Sequence, residues 1–121
     1  MRTIFAAFAA ASLLCLVGTA AQAGKQDFNL VNDTGYQVDK VFVSSVGAKS
    51  WEDDIMGRDT LDDGGSVAIS FEKGERGCHY DLKVVYHDGD EAEWHDVNLC
   101  ELSTIHIHWD KKAGTTTATS E

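Results

Sequence analysis

Cys78 and Cys100 stand eleven residues to either side of Gly89, with strand-like sequence on both flanks and the turn residues His87-Asp88-Gly89-Asp90 between them. Folding the segment about that turn brings the thiols together, so the spacing predicts a disulfide-stapled β-hairpin. Residues directly opposed in an antiparallel pair share one sheet face. Setting Cys78 against Cys100 therefore opposes Tyr80 to Asn98, Leu82 to Asp96, Val84 to Trp94 and Tyr86 to Ala92, around a three-residue loop Asp88-Gly89-Asp90. The face so defined is the apolar one. The other face, with His79, Asp81, Lys83, His87, Glu91, Glu93 and His95, is polar. Asp96 is the misfit on the apolar face and marks a strand end, a bulge or a hydrogen-bonded buried carboxylate. Closing a loop of this length stabilises a fold by about 3 kcal/mol in the chain-entropy model.

Structural disulfides belong to oxidising compartments, and the amino terminus reads as the route to one. Arg2 is followed by an apolar run from Ile4 to Val17, then by Ala21-Gln22-Ala23 before Gly24. Charged start, short apolar core and A-x-A site predict a cleavable secretory signal peptide over 1–23. The run of about fourteen residues is too short to span the ~30 Å of a bilayer core, so no stable membrane anchor is expected after cleavage. Arg2 has no second arginine beside it, and Leu13-Leu14-Cys15 places a bulky residue where a lipoprotein signal takes a small one. Cys15 leaves with the signal. The expected location is periplasmic or secreted.

Removing 23 of the 121 residues leaves 98, enough for one domain with one core. All twenty acidic residues remain against nine basic ones, a net charge of −11. Such a surface repels nucleic acid and anionic membranes and keeps a protein soluble and monomeric.

The remaining segments read as short strands. Phe28-Asn29-Leu30-Val31 is followed by the turn residues Asn32-Asp33-Thr34-Gly35, and Val38 to Ser45 is rich in β-branched and aromatic residues. Val67-Ala68-Ile69-Ser70-Phe71 alternates, with Val67, Ile69 and Phe71 inward. The stapled hairpin supplies strands over 78–87 and 91–100, and 103–109 supplies a sixth. Ser50 to Gly57 suits one helical turn with Ser50 as its cap. Residues 111–121 have nothing apolar to bury and read as a disordered polar tail after a β domain over 24–110. The expected fold is all-β, a small antiparallel β-sandwich or open barrel of about six to seven strands with one disulfide.

The sharpest chemical pattern is a set of imidazoles. Ile105-His106-Ile107-His108-Trp109 puts Ile105, Ile107 and Trp109 inward and His106 and His108 outward. If the chain turns back at Glu101-Leu102 and pairs with the preceding strand, His108 falls beside His95, and neutral imidazoles sharing a face ligate zinc or copper. Two acidic loops, with Glu52, Asp53, Asp54, Asp59, Asp62 and Asp63 in one and Asp88-Gly89-Asp90-Glu91 in the other, have the oxygens calcium wants but lack the EF-hand spacing. Trp51, Trp94, Trp109, Tyr36, Tyr80 and Tyr86 suit a carbohydrate-type face, although four lie on strands or inward positions, where core is the ordinary use. The chain has no G-x-S-x-G elbow, H-E-x-x-H or Gly-rich phosphate loop, and no cysteine outside the signal is left to act as a nucleophile.

Phe28 to Gly35, Val41-Phe42-Val43 with Ser50-Trp51 and Asp53 to Gly57, Cys78 to Tyr86, and Val97 to Cys100 resemble, in order and spacing, a family of small exported bacterial proteins with no assigned function. Its members carry names such as "Tat pathway signal sequence domain protein" or "argininosuccinate lyase". The first name implies paired arginines near residue 2 and the second a long helical enzyme, and this short, strand-rich sequence has neither. The resemblance implies an exported domain and supplies no functional residues. The resulting expectation is a non-catalytic binding or interaction module without a cofactor. A periplasmic metal-binding protein for zinc, copper or calcium is the alternative, and a small hydrolase the third reading.

Overall fold

The computed structural model describes residues 25–72 and 75–121. The expected signal peptide, with Ala21, Ala23 and Gly24, lies outside the described residues.

Seven strands form two sheets: β1 (Phe28–Asp33), β2 (Val38–Ser45), β3 (Ser66–Ile69), β4 (His79–Tyr86), β5 (Glu91–Asn98), β6 (Thr104–Asp110) and β7 (Thr115–Ser120). One sheet runs β3-β1-β6-β7 and the other β2-β4-β5. The all-β sandwich-like class expected from the alternating segments is the class observed. The pairing is not wholly antiparallel, because β1 and β6 run parallel with Asn29 beside Thr104 and Asp33 beside His108. Inward residues of both sheets make one core, in which Leu30, Val38, Val41, Val84, Leu99 and Ile107 are fully buried. Ile69 and Ile105 are buried with them, while Val67, Phe71 and Trp94 pack at the margin.

Cys78 and Cys100 are joined, with Cα atoms 5.2 Å apart. The register between them differs from the expected one. Tyr80 pairs with Val97, Leu82 with Trp94 and Val84 with Ala92, so Asp81 alone faces both His95 and Asp96. That is a β-bulge, and Asp96 takes the left-handed φ of +57° that Asp tolerates better than most residues. The extra residue resolves the misfit. Asp96 turns out to solvent, its N–H donating to Asp81 Oδ1 (2.9 Å), and the parity change turns Val97 and Leu99 toward the core. A carboxylate is costly to bury and a bulge is the cheaper remedy. Cys100 consequently sits beyond the ladder, on a 3-10 turn (Leu99–Glu101) capped by Asn98 Oδ1, which accepts from the Cys100 N–H. At the other end of the hairpin, Gly89 supplies the φ of +94° the turn requires, and the Tyr86 N–H closes it onto Asp90 C=O at 2.8 Å.

Three further expectations are corrected. The polar tail is not a disordered appendage: Thr115–Ser120 pairs antiparallel with β6 from Ile105↔Ser120 to Asp110↔Thr115. Threonine is β-branched, and an edge strand needs backbone partners more than apolar side chains. The hairpin expected between β5 and β6 does not form, since the 3-10 turn and its disulfide redirect the chain to the other sheet. The helical turn expected over 50–57 is instead a tight turn of residues 55–58 after Asp54, whose Oδ1 accepts from the N–H groups of Met56 (3.0 Å) and Val41 (2.9 Å).

Antiparallel and parallel pairings together give the sandwich two distinct ends. Asp33, Val38, Tyr86 and Asp110 lie at one, and Phe28, Ser45, His79 and Thr104 at the other, with the disulfide.

Candidate functional site

The end away from the disulfide holds a cleft of about 400 Å³ lined by Tyr36, Gln37, Tyr86, His87, Asp88, Asp90 and Trp109. Each sheet contributes. β6 of the larger sheet brings Trp109, β4 and its turn bring Tyr86 through Asp90, and the β1–β2 connection brings Tyr36 and Gln37.

The three rings stand at near right angles to one another. Centroids are 6.4 Å apart for Tyr36 with Tyr86 and for Tyr36 with Trp109, and 6.5 Å for Tyr86 with Trp109, with interplanar angles of 89°, 88° and 80°. Rings meeting edge to face satisfy their quadrupoles, the positive edge of one against the negative face of another. Tyr86 is buried, Trp109 half-buried and Tyr36 57% exposed, so the trio runs from core to solvent.

Tyr36 is exposed yet anchored. Asn32, fully buried at the end of β1, donates from Nδ2 to Tyr36 C=O (2.8 Å) and Leu61 C=O (2.9 Å), and its Oδ1 accepts from Thr34 N–H (3.1 Å) and Oγ1 (2.6 Å). All four hydrogen-bonding sites of the amide are engaged. Gly35, at φ +87°, completes the turn and its N–H donates to Asp63 Oδ1 (2.8 Å). Tyr86 is held through its hydroxyl, 2.6 Å from Thr116 Oγ1 on β7. The segment expected to be a tail therefore supports the site, a role its run of threonines alone did not announce.

The rim is acidic. Asp88 and Asp90 flank the turn, Asp88 Oδ1 accepting from the Asp90 N–H at 3.0 Å. His87 Nδ1 lies 3.1 Å from Asp39 Oδ2, and Gln37 Nε2 donates to Asp39 Oδ1 (2.7 Å). The Gln37 hydrogen bond, then the His87 contact, hold the Asp39 carboxyl below its usual range against an opposing push from desolvation.

The other expected site residues fall elsewhere. His95 is on β5, contacting Asp81 Oδ2 (3.4 Å) and Glu93 Oε1 (3.1 Å). His106 and His108 are on β6 in the other sheet, their rings stacked at 6.3 Å. The neighbourhood of His95 and His108 is thus absent, because it depended on the β5–β6 hairpin. Among the described residues no three His, Cys, Asp or Glu side chains are grouped so as to hold a metal ion. In the acidic loops, Asp54 and Asp63 accept backbone N–H bonds that shape the chain. Trp51 rests against Phe42 (6.3 Å), and Tyr80 is a core residue packed on Phe71 (4.8 Å).

His106 bridges strands. Its Nδ1 is 3.0 Å from Asp33 Oδ2 on β1 and its Nε2 2.9 Å from Glu121 Oε2. The Asp33 hydrogen bond, then that of Glu121, raise its pKa above the ordinary imidazole value of 6.5. Since the folded value is the higher one, the stabilisation is fully present below pH 6.5 and is lost as pH rises through the raised value. In a ¹H NMR titration His106 should therefore show a higher midpoint in the parent than in Asp33→Asn; an equal midpoint in the two would refute the pairing.

No protein-family model matches this chain, and no curated protein does. Among solved structures, an NMR structure of a protein from Eubacterium rectale is similar, with a TM-score of 0.56 at 18% identity over 78% of this chain and 85% of that one. At that identity the likeness is one of fold.

Proposed function

We propose that this chain is a non-catalytic binding module whose recognition site is the cleft walled by Tyr36, Tyr86 and Trp109. The observation that carries the reading is the convergence of three rings, drawn from both sheets and the β1–β2 connection, on one open cleft. Ligand sites are concave and largely aromatic, with a few placed polar groups, and they recur where packed layers meet. Tyr36 is the telling residue, since at 57% exposure it is not needed by the core, yet its backbone carbonyl is anchored by Asn32. The proposal includes location: the module works in the periplasm or outside the cell, where a bridge such as Cys78–Cys100 persists.

The test is ¹H–¹⁵N shift mapping of the labelled protein against a panel of neutral sugars, organic amines and uncharged aromatic compounds. A true ligand should shift Tyr36, Tyr86, His87 to Asp90 and the Trp109 indole together. Tyr36→Ala should weaken that ligand about tenfold, as truncation of an aromatic anchor does, and move Tm by less than about 3 °C, as an exposed substitution does. A panel that leaves the cleft unshifted, or a Tyr36→Ala variant that binds as the parent does, rejects the reading.

A further inference from the structure

We infer that the ligand of this cleft is an organic cation, recognised through a substituted ammonium group; the inference rests on the binding-module reading above. Ring faces carry the negative part of the aromatic quadrupole and attract cations within about 6 Å of the centroid. Here three rings are joined by the carboxylates of Asp88 and Asp90 on the same rim, and no lysine or arginine is among the described residues that line the cleft. The whole chain carries a net charge of −10, which draws cations toward it.

The same molecule shows what such a set of groups holds. On the outer face of the β4–β5 hairpin, the Lys83 ammonium lies 5.4 Å from the Phe42 ring centroid and 5.6 Å from that of Trp51, with Glu91 Oε1 at 3.5 Å. Two rings and one carboxylate there receive a cation supplied by the chain itself. At the cleft, three rings and two aspartates are gathered with no lysine or arginine among the described residues that line it.

The experiment compares, by cleft NMR shifts and Trp fluorescence, choline, its uncharged isostere 3,3-dimethylbutan-1-ol, N-acetyl-lysine methylamide and glucose. Choline or the lysine amide should bind at least about tenfold more tightly than the isostere, given ring and carboxylate contributions of the usual size. The tighter of the two tells whether the ammonium arrives on a free quaternary amine or on a peptide. Asp88→Asn with Asp90→Asn, which keeps the Oδ1 acceptor of residue 88, should cut cation affinity about threefold to tenfold and leave the isostere unaffected. Binding of neither choline nor the lysine amide more tightly than the isostere, or glucose as the ligand that binds, overturns the cation assignment while the cleft stands as a binding site. No cleft response to any of the four overturns the assignment too, and the wider panel above then decides whether the cleft binds anything.

Discussion

Asn32→Ala should cost about 3 to 4 kcal/mol of stability, a large part of what holds a domain of this size together. The amide satisfies two backbone carbonyls, those of Tyr36 and Leu61, and accepts from the amide and hydroxyl of Thr34, all around a side chain with no solvent exposure. Alanine removes four hydrogen bonds at once, each worth about 0.5 to 1.5 kcal/mol, and leaves the Thr34 N–H without its acceptor, while Leu61 C=O keeps the Val38 N–H (2.9 Å) and Tyr36 C=O keeps Thr34 Oγ1 (3.1 Å). Urea denaturation with an unchanged m-value would read the loss directly. Asn32→Asp is the sharper variant: it keeps the acceptor for Thr34, loses both donors, and sets a carboxylate against two carbonyl oxygens, so it should be at least as damaging. Either variant should also blur the Tyr36 signals, because the carbonyl that Asn32 grips is that of the cleft residue itself. A loss below about 1 kcal/mol in both would show that water replaces the amide and that the network is not what fixes the β1–β2 connection.

Breaking the Cys78–Cys100 bridge, by reduction or by Cys78→Ala with Cys100→Ala, should lower stability by about 3 kcal/mol through the freedom regained by a 22-residue separation in the unfolded chain. For a domain of this size that corresponds to a fall in Tm of roughly 10 to 20 °C, measurable by circular dichroism with and without reductant. The bridge and the cleft lie at opposite ends of the strands, so the Trp109 indole signal should hold its position in the reduced protein below its melting point. A Tm indifferent to reductant would mean that the bulge and the Asn98-capped turn hold the hairpin closed unaided.

Much of the fold was legible because side-chain alternation is local. The inward set of β4 and the inward isoleucines of β6 followed from period-two patterning, and the disulfide from cysteine spacing and compartment. What patterning assigns is a face, and it says nothing about which strand lies alongside. Patterning therefore matches β6 with its neighbour in sequence, whereas its partners are β7 and the distant β1. The hairpin register failed at one point for a related reason. Pairing arithmetic assumes an unbroken ladder, and Asp96 was the one sign that the ladder breaks. The cleft was the least legible part. Its walls come from residues 36, 86 and 109, and the same alternation that marks Tyr86 and Trp109 as inward conceals that each also has an edge on solvent-accessible space.

The parallel alignment of β1 with β6 also governs how the domain can be presented. β1 begins at Phe28, with Asn29 beside Thr104, and the backbone of Glu121 returns to the same place, its C=O accepting from the N–H groups of Ser103 (2.7 Å) and Thr104 (3.2 Å). Chain entry and chain exit thus share one pole, with the Tyr36–Tyr86–Trp109 cleft a strand length away, about 25 Å at ~3.3 Å per residue. A linker, a surface or a fusion partner joined at either end would leave the cleft facing outward, as a cup is left open by its handle, so immobilisation through the termini should leave the proposed ligand site accessible.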